Sequence, residues 1–180
     1  MKKLLLFLIS LLTLQACTIQ GLTSDYSKLD DSHTAMITDL KDFNDSEPAK
    51  IYKINGTELN TELQKYPKAL VYVFTNGCTS DFCKPLIVYD KYAKKHDMKL
   101  FLVMSGYSNL DETLNMPHPE PLYSIDNEYY GTRFRNTYTH YFENELIGKA
   151  RKTKRGEYKG GLFFFNNGKL EKTLIELPKD

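Results

Sequence analysis

The sequence predicts an α/β domain with a central mixed sheet flanked by helices, and three observations lead there. Two almost unbroken apolar runs, 69–75 (ALVYVFT) and 99–105 (KLFLVMS), read as strands covered on both faces. The stretch between them repeats its apolar residues at helical intervals, so the unit is β-α-β, which implies parallel strands and a right-handed crossover. The chain then closes on two β-like runs, 161–165 and 170–177, joined by Asn166-Asn167-Gly168, a hairpin signature.

The other elements follow in order. Residues 51–54 (IYKI) form a short β-like run ended by the turn pair Asn55-Gly56. Thr57 is placed to cap a helix of about three turns carrying Leu59, Leu63 and Tyr66, which Pro67 stops. After 69–75, a helix carrying Phe82, Leu86, Tyr89 and Ala93 is expected, with Ser80 or Asp81 as its cap. Residues 108–116 suggest a short helix, and the prolines Pro117, Pro119 and Pro121 break the chain before a brief strand at 122–125. Asp126 or Asn127 then caps a long polar-aromatic helix over 128–147.

Composition narrows the function classes. At 180 residues, with 41% apolar and 26% charged residues, the chain has the makeup of one compact domain, not of a disordered tail or a multi-span membrane protein. The 24 basic and 23 acidic side chains nearly cancel, so no long-range positive field would gather nucleic acid. No Gly-rich phosphate loop, paired-carboxylate motif or zinc-protease signature occurs, and Ser105 lacks the glycine-flanked elbow of a hydrolase nucleophile.

The first residues read as an address. Lys2 and Lys3 precede an oily run at 4–14 whose eleven residues would rise only about 16 Å as helix, half of what a bilayer core needs. A basic start, a short apolar centre and a small residue at the boundary make a secretory signal over residues 1–16. Leu14-Gln15-Ala16-Cys17 resembles the lipobox of bacterial lipoproteins. That resemblance implies cleavage before Cys17, attachment of fatty acyl chains such as palmitate to it, and a cell-envelope location on a membrane. Thr18 rather than aspartate after the cysteine implies, under the enterobacterial sorting pattern, the outer membrane facing the periplasm. Cleavage leaves 22 bases and 23 acids. Residues 17–48 then read as a polar tether, with Met36, Ile37, Leu40 and Phe43 near one face of a short helix, and residues 49–180 as the domain.

Once Cys17 is set aside, Cys78 and Cys83 are the remaining cysteines, where a buried strand turns into a helix. A helix start stabilises a thiolate through its unpaired N–H groups and dipole, which makes Cys78 the candidate nucleophile and Cys83 the more buried, resolving partner. Residues five apart on a regular helix lie roughly 8 Å apart, so a disulfide requires Cys78 to stand before the first helical turn. Asp81 would oppose a thiolate at Cys78, and Lys84 would favour it.

Over residues 51–177 the chain resembles the thioredoxin fold, particularly the redoxins tethered in bacterial envelopes. Three blocks carry the likeness in family order: Lys53-Ile54-Asn55-Gly56-Thr57-Glu58-Leu59, the strand 70–75 leading to the first cysteine, and the hairpin 162–170. The resemblance implies that Cys78 attacks, Cys83 resolves, and electrons pass to or from protein thiols through a mixed disulfide, with no bound cofactor. The chain departs from the pattern at four places. Four residues separate the cysteines instead of two, Gly77 replaces the preceding tryptophan, Tyr72 stands where many members bury an acid, and Gly160 replaces the substrate-docking proline. The fold tolerates these changes better than the activity does.

A binding domain stapled by a structural disulfide is therefore the alternative, because a fold does not fix a function. Copper handling by the two sulfurs is a lesser one: His118 and His140 read as surface or packing histidines, and no metal site is expected. The loop 149–159 (KARKTKRGEYK) sets six basic residues against Glu157. It reads as a solvated connector or as a surface for an acidic partner or anionic lipid.

Overall fold

The computed structural model describes residues 21–118 and 120–179. The signal segment 1–16, Cys17 and Thr18 lie outside the described residues. The elements run α1 Asp31–Met36, β1 Ile37–Asp39, β2 Ile51–Ile54, α2 Gly56–Leu63, β3 Lys68–Phe74, α3 Leu86–Lys95, β4 Lys99–Met104, α4 Leu110–Leu114, β5 Leu122–Ile125, α5 Arg135–Leu146, β6 Leu162–Asn166 and β7 Lys169–Leu174.

One seven-stranded sheet in the order β1-β2-β5-β4-β3-β6-β7 organises the chain. Its first five members are mutually parallel, β6 runs antiparallel to β3, and β7 returns along β6. The α/β class, the parallel β3–β4 pair and the closing hairpin thus match the sequence expectations. Asn167 and Gly168 both take positive φ, as a two-residue turn matching the twist of the strands requires.

The unbroken apolar run of β3 has its reason in the packing. Ala69, Val71 and Val73 face one core with Leu59 and Leu63 of α2 and Tyr138, Phe142 and Leu146 of α5. Leu70, Tyr72 and Phe74 face the other core with Leu86, Tyr89 and Ala93 of α3 and Leu110 of α4. A strand covered on both sides cannot alternate apolar with polar residues.

Several elements are shorter or placed differently than the periodicity suggests. The cap of α2 is Asn55, not Thr57: its side chain accepts from the Glu58 N–H while the Glu58 carboxylate accepts from the Asn55 N–H, a closed capping box. The expected long helix 128–147 forms only over α5. Residues before it turn instead, with Asp126 Oδ1 accepting from the N–H groups of Glu128 and Tyr129 and Gly131 at positive φ. The expected tether is built into the domain from Gly21 on. Helix occupies Asp31–Met36, but Ile37 begins β1, which pairs with β2. Leu40 and Phe43 pack against the α2–α5 core, giving the segment apolar partners that its own sequence does not display.

The carboxyl ends of the parallel strands share one edge of the sheet, and the start of β6 lies there too, since Val73 N–H donates to the Gly161 carbonyl. From that edge the chain runs on to the two cysteines.

Candidate functional site

Beyond Phe74 the chain leaves the sheet as Thr75-Asn76-Gly77 and enters an irregular loop that ends at Pro85. The helix expected to begin near Ser80 starts at Leu86. Pro85 occupies the cap position, offers no N–H and disfavours helical backbone at Lys84, so 78–84 stay outside the helix. Phe82, expected on the helix's apolar face, is 52% exposed. Neither cysteine lies in the first turn, and the proposed helix-start stabilisation of a Cys78 thiolate is lost with that placement.

Cys78 and Cys83 are joined in a disulfide with their Cα atoms 6.0 Å apart. Cys78 is exposed and Cys83 half-buried, the order of burial expected from the sequence. The loop is braced mainly from within. Cys83 N–H donates to the Ser80 carbonyl at 2.9 Å, and the Lys84 ammonium donates to the Asp81 carbonyl at 2.6 Å. Its outward ties are few: the Lys84 N–H donates to the Tyr89 hydroxyl at 3.3 Å, which in turn donates to the Phe82 carbonyl at 3.4 Å.

The root of the loop is held more firmly. Buried Asn76 donates from Nδ2 to the Gly106 carbonyl at 2.9 Å, and its Oδ1 accepts from the buried Thr113 hydroxyl at 2.8 Å. Gly77 turns at φ +64, and a Cβ there would lie 2.5 Å from Asn109 Nδ2. Asn76 was not singled out from the sequence. The available signal was an amide-bearing residue wedged between a buried strand and a turn glycine.

Beside the disulfide opens a groove of about 310 Å³, walled by Tyr72, Phe74, Pro85, Leu86 and Met116. Tyr72 stacks on Tyr89 with ring centres 4.1 Å apart. Burial, with the Tyr89 hydroxyl beside it, pushes the Tyr72 phenol well above its ordinary range, so it presents a neutral wall at physiological pH. Gly160, singled out for substrate contact, lies at the same edge of the sheet. It is buried at φ +116 with its α-carbon against the Leu174 carbonyl, where a Cβ would overlap.

A second structure at this edge was not anticipated. Asp25, 3% exposed, accepts from the Gly21 N–H at 2.7 Å, the Ser108 hydroxyl at 2.9 Å and the Thr23 hydroxyl at 3.0 Å, and pairs with the Lys28 ammonium at 2.8 Å. Burial alone would raise its pKa, but the Lys28, Gly21, Ser108 and Thr23 bonds together outweigh it and hold the carboxyl down to about 2. The neighbouring backbone is tied in as well, with Tyr107 N–H donating to the Ser24 carbonyl and Arg135 N–H to the Leu22 carbonyl.

His118 and His140 bond to backbone carbonyls, of Glu120 and Thr153 respectively. Among the described residues no group of three or more His, Cys, Asp or Glu is arranged to hold a metal, and no helix is long and apolar enough to cross a membrane. No known family model, curated protein or solved structure matches the chain.

Proposed function

We propose that this chain is a lipid-anchored cell-envelope protein whose thioredoxin-like domain exchanges disulfides with protein thiols through Cys78 and Cys83. The observation that carries the reading is an exposed Cys78 bonded to a half-buried Cys83, beyond the end of a central buried strand and beside an apolar groove. The thioredoxin-like assignment is supported by the parallel β3–β4 pair, the antiparallel β6–β7 hairpin and the exit of β3 toward the cysteines. The anchor rests on the run from Lys2 to Cys17, and an outer-membrane site facing the periplasm on Thr18.

In the exchange, a partner thiolate attacks Cys78 Sγ, the Cys78–Cys83 bond breaks, and its electron pair leaves on Cys83 as thiolate. A second partner thiolate then attacks its own sulfur in the mixed disulfide, which releases the partner oxidised and Cys78 reduced. The reverse sequence reduces a partner disulfide. Exposure directs the attack to Cys78, and the groove offers an apolar wall to the partner's flanking residues.

Cys83→Ser removes the resolving thiol, so the Cys78 thiolate of this variant is expected to attack a model protein disulfide and accumulate the mixed disulfide, the displaced partner sulfur leaving as thiolate, whereas Cys78→Ser accumulates none. Non-reducing electrophoresis and mass spectrometry read the adducts. Equal trapping by both variants, or trapping by neither, would overturn the catalytic reading and leave a binding domain stapled by a structural disulfide.

A further inference from the structure

Two independent features converge on the edge of the sheet that bears the disulfide. The first is where the chain enters the fold. Gly21 is fixed by Asp25, and Leu22 and Ser24 by Arg135 and Tyr107, so the body of the protein begins four residues after Cys17. Four residues span at most about 14 Å even when fully extended. The disulfide loop leans on the same support: Ser108 binds Asp25, Gly106 accepts from Asn76, and Gly77 abuts Asn109.

The second feature is the surface itself. The five most exposed large apolar side chains among the described residues are Tyr158 at 63%, Leu22 at 53%, Phe82 at 52%, Ile175 at 50% and Phe134 at 47%. All five lie at this edge. Phe134 is bridged to the Leu22 segment through Thr23, Phe82 belongs to the disulfide loop, Tyr158 lines a recess over Val73 and Phe74, and Ile175 sits against Gly160. The exposed lysines of the loop 149–159 lead into the same edge, beside Tyr158.

We infer that this edge faces and touches the lipid surface, so that Cys78–Cys83 works in the plane of the headgroups and its partners carry their thiols close to a membrane. The inference rests on the lipid anchor at Cys17 proposed above. A tether of about 14 Å cannot carry the domain far from the bilayer, and apolar tips beside lysines suit an anionic headgroup layer.

The chain contains no tryptophan, which provides a clean probe. Phe82→Trp places one at the inferred contact edge, and Lys68→Trp places one on an exposed position at the opposite end of β3, about 20 Å away along the strand. The full acylated chain is reconstituted in vesicles containing anionic lipid and a dansyl-headgroup lipid, and energy transfer from each tryptophan is measured. Transfer from position 82 is expected to exceed that from position 68 several-fold. Equal or reversed transfer, with acyl chains found on the N-terminal peptide by mass spectrometry, overturns the orientation alone. A dimer in detergent that buries position 82, again without transfer to lipid, assigns the edge to a second copy and overturns it likewise. An N-terminal peptide without acyl chains and a protein left in the aqueous fraction overturn the anchor itself, and the orientation with it.

Discussion

The N-terminal segment 21–28 and the root of the disulfide loop, Asn76 and Gly77, lean on the same turn, residues 105–109, yet segment 21–28 and the loop 78–85 are held by opposite means. The first is bound by a buried carboxylate with four partners and by backbone bonds that reach across the fold. The second closes mainly on itself, with one covalent bond and bonds among its own residues, and reaches outward through the Tyr89 hydroxyl. The difference separates two purposes. A segment with a buried polar network can open only by unpairing desolvated groups, whereas a loop whose ties are internal can expose one sulfur without disturbing the core.

The largest effect expected from breaking this contrast falls on Asp25. Its folded pKa of about 2 lies below the ordinary 3.8, so its contribution is present above about pH 4 and is lost as pH falls toward 2. That shift corresponds to about 2 kcal/mol. Asp25→Asn should therefore lower the melting temperature by about 5–10 °C at neutral pH. The gap between wild type and variant should close as unfolding is followed down to pH 2. Hydrogen exchange should localise the loosening to residues 21–29 and leave the disulfide's reduction potential unchanged.

Reducing the disulfide should cost at most about 2 kcal/mol, because a six-residue loop removes little chain entropy from the unfolded state. Urea unfolding with and without reductant measures this. Protection of residues 21–29 should not change, and a loss there would show that the two regions are one cooperative unit. Asn76→Ala should cost about 1–2 kcal/mol by leaving the Gly106 carbonyl and the Thr113 hydroxyl without their buried partner. Unlike reduction, it should perturb both regions, since residue 106 supports each. The smallest stability effect is expected for Phe82→Ala, within about 0.5 kcal/mol, because an exposed side chain contributes little packing. If partner docking uses the loop, the same change slows disulfide exchange without moving the melting temperature.

The sheet was largely legible before any coordinates. Runs 51–54, 69–75, 99–105 and 122–125 and the hairpin all lie within a residue or two of observed strands, except that β7 stops at Leu174 rather than Leu177. The cysteine pair was legible as a candidate site, and its disulfide and order of burial agree with the expectation. The helix start was misplaced because Leu86, Tyr89 and Ala93 set a period that Phe82 happens to extend, while Pro85 imposes a backbone constraint that the period does not weigh. The long-helix expectation failed at Gly131 for a similar reason: the aromatic residues before it pack from turns.

Local chemistry by itself determined the strand runs, the helix between 69–75 and 99–105 and the hairpin turn, because each depends on residues within a few positions of one another, and the strand-helix-strand order then implied the parallel crossover of β3 and β4. Tertiary structure alone decided the rest. The bond between Ser108 and Asp25 spans 83 positions, and that between Asn76 and Gly106 spans 30. A polar segment such as 21–28 looks like tether until the fold supplies the buried donors that make its carboxylate a fastening, and no periodicity records which distant group will arrive there.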